Sequence, residues 1–246
     1  QTGAILVDYI LRTRKEQGTL PLKGKVYNTI VTSDFGAVIA KSYGMEVEST
    51  LTGFKFIGEK AKEIEDTEYE FMFGYEESYG YVVKDFVRDK DSIQALLLLS
   101  EVANVGKNGG LTLYDYLMYL YSVHGFYKED LLNIVLEGAA GEAKINEIIH
   151  YFTENAPTEW NGNKVVAVEN YTTSKRYDKN GETDINLPKS KVLKYFLEDG
   201  SWFVLRPSGT EPKLKVYIGV LGNNLEDSVV KNKAIKDAVK AVIETI

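Results

Sequence analysis

The sequence predicts an α/β protein in two parts: a mostly parallel α/β sandwich domain over residues 1–125, then an α+β domain over 126–246 with an antiparallel sheet and helices on one face. Three observations carry this. Short apolar runs alternate with helical patterns up to about residue 125, the spacing that parallel strands joined by crossover helices require. Beyond that point strand-like runs follow one another with fewer helices between them. The chain has 246 residues and is 44% apolar, enough to give each of two ordinary domains its own core.

The opening QTGAILVDYILRTRK reads as a helix entered in mid-chain. Ile5, Leu6, Tyr9 and Ile10 form a helical apolar stripe with neither an initiator Met nor a basic leader before it, so the chain reads as a fragment. KVYNTIV (25–31) follows as a strand, SDFGAVIAKSYG (33–44) as a helix ending on Gly44, and EVESTL (46–51) as a second strand. GFKFIGEKAKEIEDT is helical, YEFMFGY a strand, and DSIQALLLLSEVANVG a buried helix closed by Gly106. TLYDYLMYLYSVHG supplies one more helix.

From about residue 126 the grammar changes. NIVLEG is strand-like, GEAKINEIIHYFTEN helix-like and KVVAVENY strand-like. The polar stretch TTSKRYDKNGETDINLPKS is too long for an ordinary connection. Its Asn180-Gly181 pair can turn a hairpin or lie in a mobile loop, and the residues alone leave both open. KVLKYFLE, SWFVL and KLKVYIGV come next; in the last, Leu214, Val216, Ile218 and Val220 alternate with Lys213, Lys215 and Tyr217. SVVKNKAIKDAVKAVIETI closes the chain as a helix.

Composition narrows the chemistry. Against 29 basic residues stand 36 acidic ones, a net charge of −7, which argues against a nucleic-acid surface and against binding an anionic membrane through bulk charge. Any anion must be caught locally. There is no cysteine, so disulfides, thiolate metal sites and cysteine nucleophiles are excluded, and the cytoplasm is the expected compartment.

Three loops carry chemistry. In RPSGTEPK (206–213) Pro207 and Pro212 mark a loop between two strands, and Gly209 permits tight backbone. Arg206 offers a bidentate fork, and Ser208 and Thr210 offer short hydroxyl donors. Such donors suit a phosphate dianion; the plainer alternative is a hairpin loop with an Arg206–Glu211 ion pair. In FGYEESYGY (73–81) two glycines flank Glu76, Glu77 and Ser78 on a loop beyond a strand end, where carboxylates suit sugar hydroxyls or form a solvated acidic turn. Arg88 and Lys90 just downstream offer charge for the same ligand's anionic end. In TLTGFKFIG (50–58) Thr52 and Gly53 lie between a strand and a helix, where a helix N-terminus can face a ligand or Thr52 can simply cap it.

In their order along the chain the three loops resemble those of the α-D-phosphohexomutases, the phosphoglucomutase and phosphomannomutase family. RPSGTEPK is similar to the phosphate-binding loop of that family's last domain, GYEESYG to its GEES-type sugar-recognition loop, and LTGFKFIG to the TG loop of its third domain. The opening helix is similar to the first helix of that third domain. The resemblance implies that residues 1–125 form a sugar-binding third domain and 126–246 a phosphate-binding fourth domain. It implies that Arg206, Ser208, Gly209 and Thr210 bind substrate phosphate, that Glu76 and Ser78 grip sugar hydroxyls, and that Thr52, Gly53 and Lys90 complete the binding surface.

The resemblance also implies a reaction: a phosphoserine passes its phosphoryl group to a hexose monophosphate, a bisphosphate intermediate reorients, and the other phosphate returns to the serine. Mg²⁺ and a sugar bisphosphate activator belong to that scheme. The family's serine loop and its DGDGDR-type metal loop have no counterpart in this sequence, so catalytic and metal residues are expected on N-terminal domains of the same polypeptide, and the chain alone is expected to be inactive. Asp89 and Asp91 bracket Lys90 in DKD, which does not match the metal loop. A stand-alone sugar-phosphate binding or regulatory module is the alternative reading, and a structural protein with coincidental loops is a third. Asp34-Phe35-Gly36 spells a kinase motif without its companions, His124 and His150 lack paired ligand spacing, and the tyrosines at 114, 116, 119 and 121 follow helix packing.

Overall fold

The computed structural model describes residues 1–136, 138–155, 157–209 and 211–246. The chain divides into two units, Gln1–Gly125 and Phe126–Ile246. Their mixed and antiparallel sheets with helical cover are the fold class expected from the alternation of runs.

The first unit runs α1 (Thr2–Glu16), β1 (Gly24–Thr29), α2 (Phe35–Ser42), β2 (Glu46–Thr50), α3 (Phe54–Glu63), β3 (Glu70–Glu76), β4 (Gly80–Val82), α4 (Ser92–Asn108) and α5 (Leu113–His124). Its sheet has the order β2-β1-β3-β4, with β1 parallel to both β2 and β3 and β4 antiparallel to β3. Because the chain steps from β1 to β2 and then crosses back past β1 to β3, the carboxyl ends of all three parallel strands share one edge. The reversal falls between β1 and β3, the place where open α/β sheets leave a crevice for ligands.

Helix α1 is apolar over its first three turns, where Gly3–Tyr9 and Leu11 are buried, and charged over its last. Its one buried charge, Asp8, accepts hydrogen bonds from the hydroxyls of Tyr43 (2.8 Å) and Tyr116, and Arg12 Nε lies 3.5 Å away. Burial and the neighbouring carboxylate push both phenols up in pKa, so they stay protonated and keep donating. This ties α1 to α2 and α5.

One core group is left costly. Tyr27 is fully buried, its ring stacked on Phe71 among Phe54, Ile57, Ala61, Ile64 and Val82, and its hydroxyl has no hydrogen-bond partner among the described residues. Tyr27→Phe is therefore expected to stabilise the chain by about 1 kcal/mol, a rise of about 2–4 °C in Tm. A fall in Tm would show that the hydroxyl is bonded after all.

Helix α4 departs from expectation. It runs through Gly106 to Asn108, and of its residues only Val102 is buried; Leu97 is 71% exposed. Gly106 marks a close approach instead of an end, since a Cβ there would lie 3.0 Å from the Leu111 carbonyl oxygen. A continuous leucine run has no polar face to orient it, so the pattern carries no information about burial.

The second unit contains β5 (Phe126–Val135), α6 (Gly138–Glu154), β6 (Glu159–Trp160), β7 (Asn163–Asn170), β8 (Lys175–Asp178), β9 (Gly181–Asp184), β10 (Leu193–Leu197), β11 (Trp202–Pro207), β12 (Lys213–Gly222) and α7 (Leu225–Thr245). The sheet order is β5-β12-β11-β10-β7-β8-β9, antiparallel throughout, with β6 pairing β7. Leu214, Val216, Ile218 and Val220 of β12 pack with Phe203 and Leu205 of β11 against Ile145, Ile148 and Phe152 of α6 and Ile235, Val239 and Ile243 of α7. Period-two alternation thus assigns one face to the helices and leaves Arg206, Lys213 and Lys215 on the other. The long polar stretch contains a hairpin: Asp178 pairs with Gly181, and Asp178 Oδ1 accepts from the Asn180 amide at 2.8 Å. Lys175 meets Glu182 (2.7 Å) and Asp184 (2.8 Å), a charged edge of the kind that discourages further strand pairing.

Candidate functional site

In the first unit the carboxyl edge of the parallel strands gathers the sequence-predicted residues. Strand β3 ends on Glu76, and Glu77, Ser78 and Tyr79 turn the chain into β4. Glu76 stands opposite Gly80, where a Cβ would come within 2.6 Å of its Oε1 and 2.7 Å of its Cγ. The missing side chain is what lets the carboxylate lie over β4. Glu76 is only 6% exposed, and the Lys90 ammonium, 56% exposed, donates to its Oε1 at 3.1 Å. A buried carboxylate with one cationic partner retains acceptor capacity for hydroxyls. Ser78 is exposed at the turn.

The segment carrying Lys90 is pinned on both sides. Gln94 Oε1 accepts from the amides of Val83 (3.0 Å) and Lys84 (2.8 Å), and the Asp91 amide donates to the Tyr81 carbonyl at 2.8 Å. Arg88, which sequence offered together with Lys90 for an anion, bonds Glu65 beyond α3 instead. Of the two basic groups only Lys90 reaches the Glu76 loop.

The DKD aspartates are engaged elsewhere. Asp89 Oδ1 accepts from the Lys90 amide at 2.7 Å, and Asp91 caps α4 by accepting from the amides of Ile93 (2.8 Å) and Gln94 (3.2 Å). Each aspartate thus has one oxygen on backbone amides, the Lys90 ammonium turns to Glu76, and among the described residues no group of three or more His, Asp or Glu is placed to hold a metal.

Thr52 and Gly53 lie two strands away on the same edge, between β2 and α3. The helix cap is Gly53, not Thr52. Its φ of 116° and ψ of 122° suit glycine alone, and no side-chain bond caps the helix. Thr52 is therefore not spent on the cap.

In the second unit β11 ends on Arg206-Pro207, and the following turn is closed by the Ser208 amide donating to the Lys213 carbonyl at 2.7 Å. The Arg206 guanidinium donates to the Tyr217 hydroxyl at 3.3 Å. Glu211 pairs with Lys213 at 3.0 Å, so the Arg206–Glu211 ion pair is not formed, and among the described residues no carboxylate pairs with Arg206. Across the ladder Arg206 stands directly opposite Lys215, a like-charge pair that the fold gains nothing from. Gly209 is exposed with ordinary backbone, and a Cβ there would meet nothing within 4 Å, so neither conformation nor internal packing requires a glycine. Thr210 lies outside the described residues.

Sequence reasoning missed several neighbours. Glu77 Oε2 accepts from the hydroxyls of Thr29 (3.0 Å) and Thr32 (3.3 Å), at the carboxyl end of β1. Lys215 and Tyr217 join Arg206 on one sheet face. The alternation in KLKVYIGV already placed Lys215 and Tyr217 on one side; the Thr29–Glu77 contact needs the strand order, which alternation does not supply.

Residues 1–122 match the family model described as phosphoglucomutase/phosphomannomutase, alpha/beta/alpha domain III, and residues 160–221 match the one described as phosphoglucomutase/phosphomannomutase, C-terminal domain. A phosphoglucomutase of Staphylococcus haemolyticus (strain JCSC1435) is 39% identical over 228 residues, covering 92% of this chain and 40% of the relative. A phosphoglucomutase of Staphylococcus aureus (strain bovine RF122 / ET3-1) is 38% identical over 238 residues, covering 96% and 42%. The chain thus spans about two fifths of the length of these relatives. Among solved structures, parafusin, a phosphoglucomutase from Paramecium in its open form, superposes with a TM-score of 0.61 at 19% identity over 99% of this chain and 40% of that one. A phosphoglucomutase/phosphomannomutase family protein from Burkholderia thailandensis gives 0.55 at 14% identity over 99% and 41%. At such identities the superpositions speak for the fold, and the ordered pair of family models speaks for descent: the chain belongs to the phosphoglucomutase/phosphomannomutase family, the α-D-phosphohexomutases, and carries its third and C-terminal domains.

Proposed function

We propose that this chain binds the hexose phosphate of a mutase that interconverts hexose 1-phosphate and hexose 6-phosphate through a phosphoserine and a bisphosphate intermediate. The observation that carries the reading is Arg206. Its half-buried guanidinium has one hydrogen bond, to Tyr217, a second cation directly opposite and no carboxylate among the described residues, an arrangement that favours an anion. Ser208, Gly209 and Thr210 complete the phosphate loop in this reading.

On the first unit Glu76 and Ser78 take sugar hydroxyls, Lys90 neutralises Glu76 and adds a donor, and Thr52 and Gly53 bound the same strand edge. Holding the phosphate that is not reacting uses binding energy remote from the reacting centre to orient the sugar. Phosphoryl transfer falls to a serine and a Mg²⁺ loop on N-terminal domains of the same polypeptide, so the chain alone is non-catalytic, and glucose phosphates are the favoured substrates because the relatives bear the name phosphoglucomutase.

Calorimetric titration of the chain with glucose 6-phosphate tests the reading. Saturable binding is expected, with no mutase turnover above a blank in Mg²⁺ and glucose 1,6-bisphosphate. Failure to bind any hexose phosphate overturns the binding assignment, and measurable turnover overturns the assignment of chemistry to other domains.

A further inference from the structure

Glu77 lies between two residues with assigned roles and has none itself, and its surroundings are specific. Its Oε2 accepts from Thr29 Oγ1 at 3.0 Å and from Thr32 Oγ1 at 3.3 Å, and these two hydroxyl oxygens are 3.0 Å apart. Each hydroxyl also accepts from a backbone amide: Thr32 Oγ1 from the Thr29 amide at 3.2 Å and Thr29 Oγ1 from the Val31 amide at 3.4 Å. The amides occupy acceptor positions on both hydroxyls, and the carboxylate lies within donating reach of each. Both threonines are buried, so water competes little for these bonds.

The clamp spans the reversal point of the sheet, joining the carboxyl end of β1 to that of β3. It also braces a turn that the Glu76–Gly80 pairing closes but that carries a strained residue. Tyr79, the last turn residue, has φ of 63° and is 85% exposed, so a bulky side chain sits in the left-handed region with no packing to keep it there. Glu77 lies between Glu76 and Ser78 in the chain, so fixing its side chain fixes the backbone that aims both.

Resting on the sugar-binding reading above, we infer that Glu77 is a positioning residue: through Thr29 and Thr32 it sets the geometry with which Glu76 and Ser78 meet the sugar hydroxyls, without touching the ligand itself. Titrations with glucose 6-phosphate and with inorganic phosphate test this, because a positioning role for the sugar loop moves the first and spares the second. Glu77→Ala is expected to weaken glucose 6-phosphate about tenfold and to change inorganic phosphate affinity less than about twofold. Glu77→Gln, which keeps an oxygen acceptor, should recover to within about threefold of the parent. Adding Thr32→Val to Glu77→Ala should cost little more than Glu77→Ala alone, since both break one network.

Unchanged glucose 6-phosphate affinity in Glu77→Ala, or a proportional loss of both ligands, overturns the inference. If Glu77→Ala does not fold, Glu77→Gln and Thr32→Val are compared by the same ratio. If the parent chain binds no glucose 6-phosphate, the sugar-binding reading fails by itself, and amide hydrogen exchange at Ser78 and Tyr79 decides the clamp: faster exchange in Glu77→Ala supports it, and equal exchange removes it.

Discussion

Arg206→Ala is expected to weaken glucose 6-phosphate and inorganic phosphate alike by about 10- to 150-fold, the range for losing one or two charge-assisted hydrogen bonds worth about 1.5–3 kcal/mol. The same change should leave Tm level or slightly higher. Arg206 and Lys215 are directly opposite in the β11–β12 ladder, and relieving that repulsion returns about 0.2–1 kcal/mol to the unliganded chain. Its one described side-chain bond, to the hydroxyl of the buried Tyr217 at 3.3 Å, is long and offsets little of this. Opposite signs for affinity and stability are what a residue kept for a ligand produces. Arg206→Lys should fall between the parent and the Ala variant, because it keeps the charge and loses the planar fork. Unchanged phosphate affinity would sink the assignment, and a fall in Tm alongside weaker binding would return Arg206 to a structural role.

Much of this fold was legible because period-two alternation and loop residues act locally. Leu214, Val216, Ile218 and Val220 turn inward where the alternation puts them, and the two prolines of RPSGTEPK bound a turn. What escaped depends on partners distant in sequence. Arg88 is bonded to Glu65 beyond the preceding helix, and nothing in VRDKD signals that. The first half of β5, FYKED, carries three charges and no clean alternation, yet pairs along β12 from Phe126 to Asp130. Likewise Thr29 and Glu77 meet only because β1 lies between β2 and β3, an ordering set by crossover handedness and packing instead of by either strand's own residues. The Asn180-Gly181 ambiguity had a different source: turn chemistry alone cannot tell a paired hairpin from a solvated loop, and the cross-strand pairs of Lys175 decide it.

Gly58→Ala reverses the usual sign for its position. Gly58 lies inside α3, where alanine is ordinarily favoured by about 1 kcal/mol. Here a Cβ would sit 2.2 Å from the Arg88 carbonyl oxygen, 3.2 Å from its carbon and 3.5 Å from its Cα, a collision with backbone that no rotamer relieves. The segment cannot simply retreat, because Gln94 holds Val83 and Lys84, Asp91 holds Tyr81, and Arg88 holds Glu65. Overpacking of this kind costs about 1–3 kcal/mol and more when backbone must move, so a net loss of about 1–2 kcal/mol and a fall in Tm of several degrees are expected. Displacing Arg88 also displaces Lys90 two residues on, and with it the ammonium on Glu76. Binding should therefore fall for glucose 6-phosphate and hold for inorganic phosphate, whose proposed loop is in the other unit. A rise in Tm would show that the segment yields freely and that the α3 contact does not position Lys90.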